Sequence, residues 1–319
     1  MDSPTLGSNP VLGIGLSLIA AVLLAIGTQL QHRGVAQVRQ AEANGPAALS
    51  WRQIRGLVGR PAWLSGTLLL GFAVVMQLVS LTVAQLIVVQ PLGAVALVIT
   101  AIMHSHTSKM PLDRRSVRAI SLCILGVGTF VTVAAFVAKE NPVTGTQLRA
   151  VLIILAVTLS TFGVLLRAFR RKPVPPIVYV IAAGILFGFV VTLAKVVITR
   201  AQTIIFVEHG PDSSDVLTVL CVVGLIAAGL LGSYFVQTAH SSNPPDLVVA
   251  GLTVIDPLVA VTIGVIVLGE AANAPLWASI TFVVSGTASI WGVLSLAHHH
   301  PQAQIKAVPG TIPVSPSPP

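Results

Sequence analysis

Hydrophobic positions along this chain come in nine runs of about twenty residues, separated by short polar connections. A helix needs about 20 mostly apolar residues to cross roughly 30 Å of hydrocarbon. The runs are 11–31, 62–84, 86–104, 119–138, 150–166, 177–199, 216–239, 247–268 and 277–297. They are apolar all round, without the polar/apolar alternation of a barrel strand. In lipid, where peptide groups find no water, such runs must satisfy their own backbone as helices. The predicted fold is therefore an all-α integral membrane protein with nine transmembrane helices.

Two longer polar segments interrupt the pattern. Residues 32–60 read as a basic loop, in which Trp51, Ile54, Leu57 and Val58 share one face of a helical turn suited to the headgroup layer. The segment 301–319 is rich in Pro and Ser and is expected to be disordered. The first run could pass for a signal peptide, but Asp2 is the only charge before it. With no basic n-region, the run is expected to stay in the mature chain.

Composition supports the membrane assignment. Charged residues make up 9% and hydrophobic ones 54% of the 319 residues, too few charges to build a water-facing surface. Cys123 and Cys221 fall inside apolar runs and read as small hydrophobes, with no disulfide or metal spacing.

The net charge of +8 is distributed by side. Arg33, Arg39, Arg52, Arg55, Arg60, Lys109, Arg114, Arg115, Arg118, Arg167, Arg170, Arg171, Lys172 and Lys306 fall on one side of the nine crossings. Only Lys139, Arg149 and Arg200 fall on the other. The positive-inside bias then places the amino terminus outside and the carboxyl terminus in the cytoplasm of a plasma (bacterial inner) membrane. It explains the basic balance without a nucleic-acid partner.

An internal repeat is visible. Val88-Val89-Gln90-Pro91-Leu92-Gly93-Ala94-Val95 in the third run matches Val254-Ile255-Asp256-Pro257-Leu258-Val259-Ala260-Val261 in the eighth at five of eight positions. The two runs cross in opposite directions, so the chain reads as an inverted repeat with four spans in 1–138, five in 139–297 and a cytoplasmic tail from 298 to 319. A second helix lost from the first half, with the basic loop in its place, would account for the inequality. Each copy has a polar residue before a proline, and both helices are expected to bend or open there.

Candidate chemistry clusters at these steps. Asp256 is the one acid inside a run, where an ionised carboxylate costs several kcal/mol, about 2.5–3.5 on insertion scales. It reads as a proton relay, cation ligand or substrate contact beside Pro257, or else as a helix-start cap. Lys195, the one basic residue inside a run, either lines the pathway or snorkels to the headgroups. Gln90 with Pro91 is the neutral counterpart of Asp256 in the repeat, whereas Gln29, Gln77 and Gln237 read as helix–helix glue. Gly184 with Gly188, and Gly229 with Gly232, read as close helix contacts. None of the five lysines follows a glycine and no HExxH or CxxC occurs, so ATP hydrolysis by this chain is disfavoured.

These residues resemble the drug/metabolite transporter superfamily (EamA-like), and within it the NIPA-like magnesium transporters. Val89-Gln90-Pro91-Leu92-Gly93-Ala94 is similar to that branch's TPLGAL step, and Gly188-Phe189-Val190-Val191-Thr192-Leu193-Ala194-Lys195 to its IGAFSVAAVKG helix. Leu268-Gly269-Glu270 resembles the superfamily's LGE signature. Gln90 stands where the branch commonly has Thr, and Asp256 where it has a neutral residue. The resemblance implies a secondary transporter, not an enzyme; the polar-Pro steps and the charges inside the runs place Gln90, Pro91, Lys195, Asp256 and Pro257 along its expected pathway. Its partners would be lipid, a small polar solute or Mg2+, and a second copy of the chain, with no cofactor. A non-transporting membrane scaffold or envelope accessory protein is the alternative.

Overall fold

The computed structural model describes residues 9–41, 61–108, 114–139, 143–168, 175–206, 213–242 and 245–299. Its helices are α1 (Pro10–Ala41), α2 (Pro61–Val83), α3 (Leu86–Val89), a 3-10 turn (Gln90–Leu92), α4 (Gly93–Ser108), α5 (Arg114–Val137), α6 (Gly145–Ala168), α7 (Pro176–Phe206), α8 (Ser213–Ser242), α9 (Pro245–Ile266) and α10 (Leu276–His299). Among the described residues nine helical stretches are long and apolar enough to cross a membrane. Their bounds fall within a few residues of the sequence-predicted runs at most ends. The chain is a multi-pass helical membrane protein.

The differences lie at helix ends. The first helix continues to Ala41, through residues expected to open the basic loop. A helix need not stop where hydrocarbon stops, and Ala, Gln and Arg in 32–41 are good helix formers. For the same reason α5 begins at Arg114 and α7 runs on to Phe206. The amphipathic piece 51–58 and the tail 301–319 lie outside the described residues.

Helix α1 packs along α2, α5 along α10, and α7 against both α8 and α9. The fifth span, α6, is peripheral and rests mainly on α8. Lipid offers no hydrophobic driving force between helices, so close packing must come from small residues. Gly126 and Gly292 supply it between α5 and α10: a β-carbon on Gly292 would sit 2.6 Å from the Cys123 amide nitrogen, and one on Gly126 2.8 Å from Ser285 O. Gly229 and Gly232 of α8 face Val190 and Leu186 of α7 at ordinary van der Waals distance, so the close approach expected of them is not required there.

The start of the third span lies at the centre. Leu86, Ile87, Val88 and Val89 are all buried. Leu86 and Val89 join a core with α6 to α9, while Ile87 and Val88 join a second core with α5 and α10. One helical turn therefore touches both halves of the molecule.

Cys123 and Cys221 are free thiols with no exposed surface. A hydrophilic maleimide should leave both unlabelled in the folded protein and label both after denaturation in SDS, read by mass spectrometry. Labelling of either before denaturation would show that its helix seam opens.

Candidate functional site

The passage from the second to the third span is a break built from Ala84 and Gln85. Gln85 is extended, with φ −69° and ψ 152°, and α3 begins directly after it. At the other end of α3, Gln90 N still donates to Leu86 O, but Pro91 has no N–H to continue the ladder. The chain tightens into the 3-10 turn Gln90–Leu92 before α4. The expected opening at Pro91 is thus present as a change of helix type.

The eighth span differs. Pro257 sits inside α9, which runs unbroken from Pro245 to Ile266. The expected opening is therefore present at Pro91 only; at Pro257 the helix is continuous. The reason is packing: α9 is laid on α7 where α7 has no side chains to hold it off. A β-carbon on Gly184 would lie 2.7 Å from Ile255 Cβ, and one on Gly188 2.7 Å from Val259 Cβ and 3.0 Å from Asp256 O. These contacts fall on both sides of Pro257 and hold α9 against α7 there.

Asp256 lies in this gripped stretch and is partly buried. Its Oδ1 is buried and accepts no hydrogen bond. Because it sits mid-helix, the cap reading is removed. The Gln90–Leu92 turn packs against α9, so the two polar-Pro steps lie on neighbouring elements, and Gln90 is itself buried.

Lys195 is placed elsewhere. It is 3% exposed, which removes the snorkelling alternative. Its Nζ donates to Leu81 O at 2.8 Å and Ala84 O at 3.0 Å, the carbonyl end of α2. A cation at the carbonyl end of a helix offsets both the orphan acceptors and the negative end of the helix dipole.

A matching anion sits on the other side of the break. The carboxylate of Glu270 accepts from Leu86 N at 2.8 Å and Ile87 N at 2.7 Å, so it caps the amide end of α3. Glu270 is 5% exposed. Its position depends on Gly269, at φ 71°, where the chain leaves α9 in the left-handed region that glycine tolerates. The turn is then tied down by Glu270 N to Gly264 O at 3.0 Å, Lys139 N to Glu270 O at 2.9 Å, and Gln147 Nε2 to Leu268 O at 3.1 Å.

Sequence reasoning quoted Glu270 for its likeness to a family signature but did not place it in the site. Gln85 and Thr199 were missed as well. Gln85 is 1% and Thr199 8% exposed, and Gln85 Oε1 and Thr199 Oγ1 are buried without partners. The one available signal was a polar residue, Gln85, between two apolar runs. Gln31 serves as glue, donating to Thr67 Oγ1 at 3.0 Å between α1 and α2. Among the described residues no group of three or more His, Cys, Asp or Glu could hold a metal ion.

A family model described as magnesium transporter NIPA matches residues 8–203. An uncharacterized protein of Corynebacterium glutamicum is similar at 23% identity over 292 residues, covering 90% of this chain and 95% of that protein. No solved structure matches. The NIPA match takes in the broken third span, its Gln90-Pro91 step and Lys195. On that match the chain belongs to the NIPA magnesium transporter family, a branch of the drug/metabolite transporter superfamily.

Proposed function

We propose that this protein is a secondary transporter of the plasma membrane that carries Mg2+, with a small polar solute as the competing cargo. The observation that carries this reading is Asp256. It is an acid in the middle of a membrane-spanning helix, with a buried oxygen that no protein group satisfies, beside the Gln90–Pro91 turn of the neighbouring span. A buried acceptor left without a donor is costly and calls for an explanation. A cation in transit supplies one. Gln90, Pro91, Asp256 and Pro257 would border the path at mid-depth, and Lys195 would act at its end.

The charge asymmetry of the connections supports an amino terminus outside and a carboxyl terminus in the cytoplasm. Helix pairing supports the inverted repeat in a refined form. The first span packs on the second and third; the sixth packs on the seventh and eighth; the fourth and ninth pair with each other. The third and eighth carry the matching octapeptides. Two four-span units, in 1–138 and within 139–297, then correspond span for span. The peripheral fifth span links them. A four-span unit ends on the side where it began, so a single extra crossing is what inverts its copy. This division fits the packing better than the loss of a second helix, which would leave the first and fifth spans as counterparts running the same way.

The test is uptake into proteoliposomes loaded with a Mg2+ indicator. Protein-dependent uptake down an imposed Mg2+ gradient, without nucleotide, is expected. Folded protein that moves no Mg2+ above protein-free liposomes would overturn the cargo, and competition by polar solutes in a counterflow format would then identify the alternative.

A further inference from the structure

We infer that Lys195 and Glu270 are positioning residues that latch a gate, the seam where the second span passes into the third. This rests on the transport reading above. Segment 81–87 is held from two sides by opposite charges: the ammonium of Lys195 on Leu81 O and Ala84 O, and the carboxylate of Glu270 on Leu86 N and Ile87 N. Both grips are charge-assisted hydrogen bonds to helix ends, made in a buried setting where such bonds are strong. Gly264 makes room for the anion, since a β-carbon there would lie 3.0 Å from Glu270 Oε2.

The same seam contains the reason for it to open. Lys195, Thr199 and Gln202 follow one another at helical spacing on α7, and Gln202 Nε2 reaches Thr82 O at 3.3 Å. This face of α7 therefore lies along the end of α2. Thr199 on this face and Gln85 at the break itself each carry a buried oxygen without a partner, Thr199 Oγ1 and Gln85 Oε1. Closure desolvates them and opening would return them to water. Charged grips favour the closed arrangement and stranded polar groups oppose it, which is the balance a two-state element needs.

The latch also controls the pathway. Glu270 holds the first turn of a segment that reaches Gln90 and Pro91 only three and four residues after Ile87. Its release frees the start of the third span, buried between both cores, to move with that step.

The test uses Gln85→Cys in the full chain with Cys123 and Cys221 replaced by Ala, reconstituted in vesicles and probed with an impermeant maleimide from either face. Labelling is expected to be slow in this parent. In Glu270→Gln or Lys195→Met it should rise about tenfold, from one face only, as a two-state equilibrium shifts on losing a charged grip. Unchanged labelling in the folded variants overturns the latch. A rise from both faces also overturns it, since that reports a loosened fold. Should the neutral variants not fold, Glu270→Asp and Lys195→Arg keep charge but change reach. An increase of about threefold from one face is then expected, and no change overturns the proposal. One-sided opening in a parent that carries no Mg2+ leaves the gate standing and removes the cargo assignment.

Discussion

Asp256→Asn should lower Mg2+ uptake into proteoliposomes by at least about tenfold, equivalent to roughly 1.4 kcal/mol of lost cation stabilisation. It should leave the melting temperature of the purified protein unchanged or higher. The two outcomes have one cause. Asp256 Oδ1 is buried with no hydrogen-bond donor, so that oxygen adds no bond to the fold. A neutral amide is less costly to bury than a carboxylate, so the resting protein should tolerate Asn. Asn keeps the shape and one carbonyl oxygen but offers no net charge to a dication. The readout pairs indicator fluorescence with a thermal melt in detergent. A lower melting temperature with unchanged uptake would show that Asp256 serves the fold instead, and the pathway would have to be sought away from α9.

The legibility of the fold and that of the site have different physical origins. The sixth span, expected at 177–199 and found within α7, was legible because lipid forces a long apolar run to close its own hydrogen bonds. Pro91 was legible because a missing N–H acts locally, within one turn of the residue itself. Pro257 carries the same local signal, but Ile255 and Val259 settle against Gly184 and Gly188, a tertiary fact that the octapeptide does not contain. The seam was the least legible part. Lys195 bonds carbonyls, and Glu270 bonds amides 183 and 184 residues away; backbone groups are present at every position and leave no mark in a sequence. A search for oppositely charged side chains would have paired Lys195 with Asp256 and overlooked both helix ends. What identifies Lys195 and Glu270 as a set is the break they share, and that appears only once the second span is seen to stop at Val83.

Gly188→Val should be strongly damaging to the α7–α9 interface. A β-carbon at position 188 would lie 2.7 Å from Val259 Cβ and 2.8 Å from Val259 Cγ1, with Asp256 O at 3.0 Å, so neither a side-chain swing nor a small backbone shift clears all three. Overpacking of this kind costs about 1–3 kcal/mol, and the branched side chain adds to it. Helix α9 must lift from α7, and Asp256 moves with it, so uptake should fall along with the melting temperature. Gly71→Ala is the matching control. It lies within α2, exposed, with nothing within 4 Å of its would-be β-carbon. Replacing glycine in a helix interior there should be neutral or stabilising by up to about 1 kcal/mol, with uptake intact. The contrast separates helix propensity from close approach. If Gly188→Val melts and transports like Gly71→Ala, then α9 does not depend on that contact, and another force must keep the helix continuous through Pro257. If it melts lower yet transports normally, the α7–α9 seam serves the fold alone, and the path runs on the other face of α9, toward the Gln90–Leu92 turn.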